Sequence, residues 1–279
     1  MDILTNIVVF LNHLANALGQ VFVFIGYLPG WLSATIVAAV SGIALILAFK
    51  YTSNQKAIKR ARQDIRANLL AVKLFHDNLG VGFRAQGRVL VGALRLLVFA
   101  VVPILAMLVP VTLLLGQLNL WYQTSPLPVR DEAVITLKLR DDADAHWPAV
   151  VLEPNEAVED THGPVCVVSQ REVCFNVRAQ KDGCNRLVFK VDGQPVEKEL
   201  AIGSTFLPVS TRRPSWEWSD VLLNPREPPF GPTSLVQSIE VQYPARSSWT
   251  SGSDYWVYYW FAVSLVTGFC CRGLFKVNL

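Results

Sequence analysis

AFKYTSNQKAIKRARQDIRANL, residues 48–69, joins the end of an uncharged apolar run to a basic helix. Lys50, Lys56, Lys59, Arg60, Arg62 and Arg66 lie in it, and only Asp64 opposes them. Lys73, Arg84, Arg88 and Arg95 extend the block, so ten of the 25 basic residues fall between Lys50 and Arg95. A basic block can bind nucleic acid. Beside apolar runs it reads instead as a membrane-proximal loop, because Lys and Arg near spans stay on the cytoplasmic side. The composition agrees. The chain is 52% hydrophobic and 17% charged, whereas soluble domains carry about 25% charged residues.

Upstream of the block, Trp31–Phe49 is uncharged and long enough to cross a bilayer at about 1.5 Å per residue. Downstream, the apolar run Val89–Leu120 is interrupted by the single charge of Arg95, with Pro103 and Pro110 as candidate kinks. A third run, Tyr255–Cys271, is bounded by Asp254 and Arg272. Trp and Tyr flank one end of these runs (Tyr27, Trp31, Trp121, Tyr122, Tyr255, Trp256, Tyr258, Tyr259, Trp260) and Lys or Arg the other (Lys50, Arg95, Arg272, Lys276), as membrane boundaries require. Residues 3–26 alternate Leu, Ile, Val and Phe with Asn6, Asn12, His13, Asn16 and Gln20 at helical spacing. The amides and imidazole suit an interfacial helix better than a fourth span.

Between Thr52 and Arg95, Ile58, Ile65, Leu69, Val72, Leu79 and Phe83 form a helical stripe, and DNLGVG at 77–82 reads as a turn. These features predict a hairpin of a long first arm and a shorter return arm. Residues 121–253 hold short β-branched runs with Asp182-Gly183 and Asp192-Gly193 as hairpin signals. They predict a small β-sandwich, with the Pro- and Trp-rich stretch 210–234 as an ordered loop.

The predicted fold class is therefore a membrane α-helical protein with an inserted exterior β-sandwich-like domain. The predicted parts are an N-terminal amphipathic interfacial helix (1–30), a first transmembrane helix (31–50), a basic cytoplasmic helical hairpin (51–95), a second transmembrane helix (96–120), an exterior, periplasmic β-domain (121–253), and a third transmembrane helix with a short cytoplasmic tail (254–279). The N-terminus is placed outside and the C-terminus inside.

The sequence carries no Gly-x-Ser-x-Gly, Walker A or His-Glu-x-x-His motif, which argues against an enzyme. The four histidines (His13, His76, His146, His162) are scattered, so neither metal nor cofactor is expected. DDADAHW at 141–147 lacks the glycine and glutamate of a calcium loop. Cys166 and Cys174 lie symmetrically about Gln170. A tight hairpin would set them opposite each other for a disulfide, and free thiols are the alternative. Lys50, Arg95 and Arg272 approach the membrane from the basic side. They either snorkel to headgroups or converge on a polar vestibule lined by Ser33, Thr35, Ser41, Thr112, Gln117, Ser264 and Thr267.

The order of parts resembles the YidC/Oxa/Alb insertase superfamily, and most of all its three-span branch, which includes the third subunit of the endoplasmic reticulum membrane protein complex and the archaeal YidC-like proteins. WLSATIVAAVSGIALILAFKYTSNQK (31–56), VVPILAMLVPVTLLLGQLNLWYQTSPLPV (101–129) and SDYWVYYWFAVSLVTGFCCRGLF (253–275) carry the resemblance. It implies a membrane protein insertase or assembly factor with a cytoplasm-facing hydrophilic groove, in which Lys50 and Arg272 fall near the family's basic groove positions. The alternative is a non-catalytic structural or assembly subunit that anchors an exterior β-domain. Expected partners are the lipid bilayer, hydrophobic client proteins or other membrane-complex subunits, and the ribosome through Lys56, Lys59, Arg60, Arg62 and Arg66. No specific DNA binding is expected. The expected location is a bacterial inner membrane.

Overall fold

The structure, a computed structural model, describes residues 2–19, 26–74, 79–140, 147–246 and 255–275. In chain order, helices α1 (Asp2–Gly19), α2 (Gly30–Thr52), α3 (Gln55–Leu74) and α4 (Leu79–Tyr122) precede strands β1 (Glu132–Leu139), β2 (Val150–Leu152), β3 (Val158–Val167), β4 (Glu172–Ala179), β5 (Gly183–Val191), β6 (Gln194–Ile202) and β7 (Arg212–Arg213). Helix α5 (Trp218–Leu223), strand β8 (Val236–Val241) and helix α6 (Tyr255–Cys271) follow. The chain divides into two units, Met1–Ala34 with Thr112–Tyr258 and Thr35–Val111 with Tyr259–Leu279.

The first unit is built on strands whose apolar residues alternate. In β1, Ala133, Ile135, Leu137 and Leu139 point inward; in β4, Val173, Phe175, Val177 and Ala179 do. One sheet has the order β3-β4-β1-β8-β7 and the other β2-β5-β6, with antiparallel ladders throughout. They share one core, in which Phe175 and Phe189 meet at 5.4 Å between ring centroids. Each such buried side chain contributes about 1.5–3 kcal/mol through area removed from water.

The two hairpin signals part company here. Asp192 and Gly193 both have positive φ, 49° and 81°, and close the two-residue turn between β5 and β6. Asp182-Gly183 does not close a hairpin. It carries the chain from β4 to β5, which lie in different sheets.

The disulfide expectation is also corrected. The β3–β4 connection ends on Arg171, with φ 52°. The resulting register pairs Cys166 with Val173 and Val165 with Cys174, which puts the two thiols on opposite faces. Both are free.

In the second unit, α3 packs on the return helix through Ile65, whose Cγ1 would lie 2.7 Å from a Cβ at Gly92. Of the turn predicted at 77–82, Leu79–Gly82 is helical, and residues 77 and 78 lie outside the described residues. The chain continues helical through Arg95, the boundary drawn between hairpin and second span. The return arm and the second apolar run are one 44-residue helix, with Pro103 and Pro110 inside it. Gly30–Thr52 and Phe83–Tyr122 are long and apolar enough to cross a membrane, while α6 is apolar but 17 residues long. His76, the acidic residues at 141–144, Gln20 and Lys276 lie outside the described residues.

Several aromatics predicted to flank the membrane pack inside the protein. Trp121, Tyr122 and Trp256 are buried, and Phe206 stacks on Trp121 at 6.0 Å between centroids. Tyr27, Trp31, Tyr255 and Tyr258 are exposed.

Candidate functional site

The residues expected to form a polar vestibule fall in both units: Ser33, Thr112 and Gln117 in the first, and Lys50, Arg95, Arg272, Thr35, Ser41, Ser264 and Thr267 in the second. Lys50 lies in the last turn of α2 over the ring of Tyr51, 5.9 Å from its centroid. Arg95 and Arg272 are exposed. The hydroxyl of Ser41 donates to Val37 O at 2.6 Å and that of Thr267 to Val263 O at 2.8 Å, so both are bonded back to their own helices. A cleft of about 410 Å³ does open beside them, but its lining is apolar. Leu45, Ile46 and Phe49 of α2, Met107 and Val111 of α4, and Leu265 and Phe269 of α6 form most of its wall. None of the three basic residues lines it.

The basic hairpin face is more coherent. Ile58 and Ala61 of α3 are buried, whereas Lys56, Lys59, Arg60 and Arg66 are exposed and Arg62 half-buried. The five cations from Lys56 to Arg66, opposed there only by Asp64, give this stretch of α3 a positive surface whose field salt would screen.

Gln117 belongs to the other unit, where it helps to dock α1. Its amide donates to Asn16 Oδ1 at 2.6 Å. Asn16 Nδ2 donates to Pro225 O at 2.7 Å, and Asn12 Nδ2 to Val221 O at 2.5 Å. Asn12 and Asn16 of the polar stripe therefore face protein, and Thr5 is buried with Asn12, while Asn6 and His13 are exposed. Much of the apolar surface faces outward: Ile3 is 79% exposed and Phe10 69%, alongside exposed Leu4, Ile7 and Leu14, whereas Val8 is buried. This arrangement explains an uncharged polar face. It meets the end of α5 and the Pro-rich loop, where amides can bond carbonyls and charges would be stranded.

A second cleft, of about 640 Å³, lies in the same unit. Leu120, Trp121, Leu207 and Pro208 give it apolar walls, and Asn16, Gln117, Arg186, Glu199 and Arg226 polar ones. Glu199 accepts from Arg226 Nε at 2.8 Å and from the Cys184 thiol. Burial, then the hydrogen bond to Glu199 and its charge, push Cys184 up to about 11. At neutral pH it stays a thiol, so it is a poor nucleophile. Beneath the cleft, Lys198 is fully buried and paired with Glu227, with Ser210 O a further acceptor at 2.8 Å. Neither the Lys198–Glu227 pair nor the Glu199–Arg226 pair was anticipated from sequence. Among the described residues, no group of three or more His, Cys, Asp or Glu is placed to hold a metal.

The Glu199 contacts carry a pH dependence. Burial alone would raise its pKa, but the hydrogen bonds from Arg226 and Cys184 and the charges of Arg226 and Lys198 outweigh it, and the carboxyl lies below its ordinary range. A depressed folded-state pKa stabilises the fold fully above the unfolded value, about 4.3, and the gain is lost as pH falls through the folded value. The melting temperature should therefore drop below about pH 4, and drop less steeply in Glu199→Gln. Parallel profiles for the two proteins from pH 7 to 3 would remove Glu199 as a contributor.

No family model matches the chain, and neither a curated protein nor a solved structure does.

Proposed function

We propose that the chain is a multi-pass membrane protein that helps insert or assemble other membrane proteins, as YidC/Oxa insertases do. The observation that carries this reading is the basic arm α3, held between two apolar helices of spanning length, α2 and α4. Apolar side chains of α4, among them Leu97, Val98, Val102, Ile104, Leu105 and Leu108, are exposed, which suits a lipid solvent and is costly in water. The outward apolar stripe of α1 suits the outer interface of the bilayer in the same way. The reading places α3 in the cytoplasm of a bacterium, the β-sheet unit across its inner membrane, and α6 as a short third span.

A structural role, anchoring the exterior β-domain for a larger complex, is the second reading. It is favoured by the apolar lining of the α2/α4/α6 cleft, to which none of Lys50, Arg95 and Arg272 contributes.

Reconstituted vesicles separate the two. With the protein present, insertion of a short-tailed single-span client should exceed that in protein-free vesicles. It should fall when Lys56, Lys59, Arg60 and Arg62 are changed to Gln. Insertion no better than in protein-free vesicles would leave only the structural reading. As a control in the same vesicles, with the five native cysteines replaced, Asn54→Cys and Gln194→Cys should label from opposite sides. Labelling from one side would overturn the membrane topology itself.

A further inference from the structure

Gln117 is 6% exposed and lines the cleft of about 640 Å³ in the first unit. A chain of hydrogen bonds fixes the orientation of its amide. The carbonyl of Pro225 can only accept, so Asn16 turns its Nδ2 toward it, at 2.7 Å. Asn16 Oδ1 then faces Gln117 Nε2, at 2.6 Å. Gln117 Oε1 is left as an acceptor without a hydrogen-bond partner among the described residues, and it is not one of the side-chain atoms sealed from solvent. A nearly buried acceptor that still reaches solvent in a cleft wall is placed to take a donor from an occupant.

Arg226 brings the complementary group to the same cleft. Its Nε and Nη2 both donate to Glu199, the first at 2.8 Å, which leaves Nη1 without a partner and likewise open to solvent. Asn16 ties the two groups together, since it bonds Gln117 on one side and the residue before Arg226 on the other. The ion pairs limit the charge of the occupant. Arg226 is paired with Glu199, and Arg186, on the same wall, with Glu197 at 3.1 Å. Both cations are compensated, so a group with one negative and one positive end suits the cleft better than a bare anion. The volume falls in the usual range for a drug-sized ligand, roughly 300–1,000 Å³, and Leu120, Trp121, Leu207 and Pro208 supply an apolar wall for the rest of it. Leu120 and Trp121 lie in the last turn of α4, a helix of spanning length. The end of a spanning helix is where a chain meets lipid headgroups.

We propose that this cleft binds the headgroup of an ethanolamine phospholipid. The phosphate accepts from Arg226 Nη1, the ammonium donates to Gln117 Oε1, and the glycerol end lies along Trp121 and Leu207. The lipid as source rests on the membrane reading above; the pairing of an anionic oxygen with a primary ammonium does not.

The test uses the full chain, extracted in detergent and stripped of lipid. It is titrated with dioleoyl phosphatidylethanolamine, its N,N-dimethyl derivative, and phosphatidylcholine and phosphatidylglycerol with the same tails, and bound lipid is read by native mass spectrometry. The first two keep an N–H and should bind within about twofold of each other. Phosphatidylcholine has none and should bind about tenfold more weakly, the worth of one hydrogen bond to a charged group. Equal affinity for phosphatidylethanolamine and phosphatidylcholine overturns the proposal, and this comparison needs no variant. A dimethyl derivative as weak as phosphatidylcholine also overturns it, because the cleft would then be reading size. So does tighter binding of phosphatidylglycerol than of phosphatidylethanolamine, which would make it a site for net negative charge. Gln117→Met should abolish the preference for phosphatidylethanolamine over phosphatidylcholine, and Leu207→Trp, which narrows the cleft, should weaken every lipid; a preference that survives Gln117→Met overturns the proposal. Water-soluble glycerophosphoethanolamine should compete poorly, and competition as strong as that of the lipid overturns the membrane source in favour of a soluble ester. A chain that washes from membranes in alkaline carbonate would fail the membrane reading, whereas one that needs detergent yet shows no headgroup preference fails only this proposal.

Discussion

Replacing Glu227 with alanine is expected to destabilise the β-sheet unit by about 3–5 kcal/mol, the usual cost of stranding a buried charge. Lys198 is fully buried and its partner Glu227 is 9% exposed. The Lys198 ammonium donates to the Glu227 carboxylate, to Ser210 O at 2.8 Å and to Glu199 O at 3.2 Å. The other carboxylate oxygen of Glu227 accepts the Glu199 N–H at 3.1 Å. The variant loses both the counter-charge and the acceptor of the Glu199 backbone N–H. Burial already pulls the Lys198 pKa down, with the carboxylate as the main opposing influence. Without Glu227 the amine is left neutral and under-bonded or charged and unpaired.

The melting temperature of the full chain should fall on the order of 10–20 °C. Lys198→Met with Glu227→Leu should recover much of that loss, because removing both charges removes the desolvation penalty with the attraction. The two single losses then do not add, as expected for groups in contact. A shift in Glu227→Ala below about 3 °C would show that the ion pair does not hold the loop to the sheet.

That pair marks the limit of what the sequence makes legible. Strand periods are local, so EAVITLKL and EVCFNVRA announce themselves as strands. Which strand pairs with which is not local. Asp182-Gly183 has hairpin chemistry, yet β4 completes its pairing with β1 and β3, and the chain must cross to the other sheet. One residue in the left-handed region, Arg171, shifts the β3–β4 register and separates Cys166 from Cys174. Lys198 lies in a polar run, QPVEKELAI, where an outward lysine is the natural expectation. Its partner comes 29 residues later, from a Pro-rich loop without a period.

The candidate sites follow the same division. The basic face of α3 is legible because its charges and its apolar stripe sit on one helix. The amphipathicity of α1 is legible too, but not which stripe faces protein; the absence of charge on its polar face is the signal that could have shown it. The cleft beside α2 and α6 is apolar for a physical reason. Hydroxyls on apolar helices satisfy themselves locally, so Ser41 and Thr267 need no common polar cavity. The cleft that forms there depends on where α2, α4 and α6 approach and diverge, and small residues set that distance.

Gly42 sets it most tightly, and Gly42→Val is expected to force α2 and α6 apart. A Cβ at position 42 would lie 2.3 Å from Ser264 O and 2.9 Å from Ser264 C and Cα. These are backbone atoms of α6, so no side-chain rotation relieves the contact, and one helix must move. Helices in a membrane gain little from the hydrophobic effect and depend on close packing between small residues. Ala38 and Ser41 of α2 are buried, and the position of a Cβ at Gly268 would be 3.5 Å from Gly42 O. Separating the helices would also break the hydrogen bond of 2.7 Å between Thr35 Oγ1 and Tyr259 Oη. The expected cost is about 3 kcal/mol, at the upper end for an overpacked contact. Gly87→Ala in α4 is the matched comparison. Nothing lies within 4 Å of its Cβ position, and a helical Gly→Ala change gains up to about 1 kcal/mol. In a thermal scan of the detergent-extracted chain, Gly42→Val should lose monodisperse protein well below the wild-type temperature, and Gly87→Ala at or above it. Equal midpoints for Gly42→Val and the wild type would mean that α2 and α6 do not meet at Gly42, and would remove the cleft between them as a site of any kind.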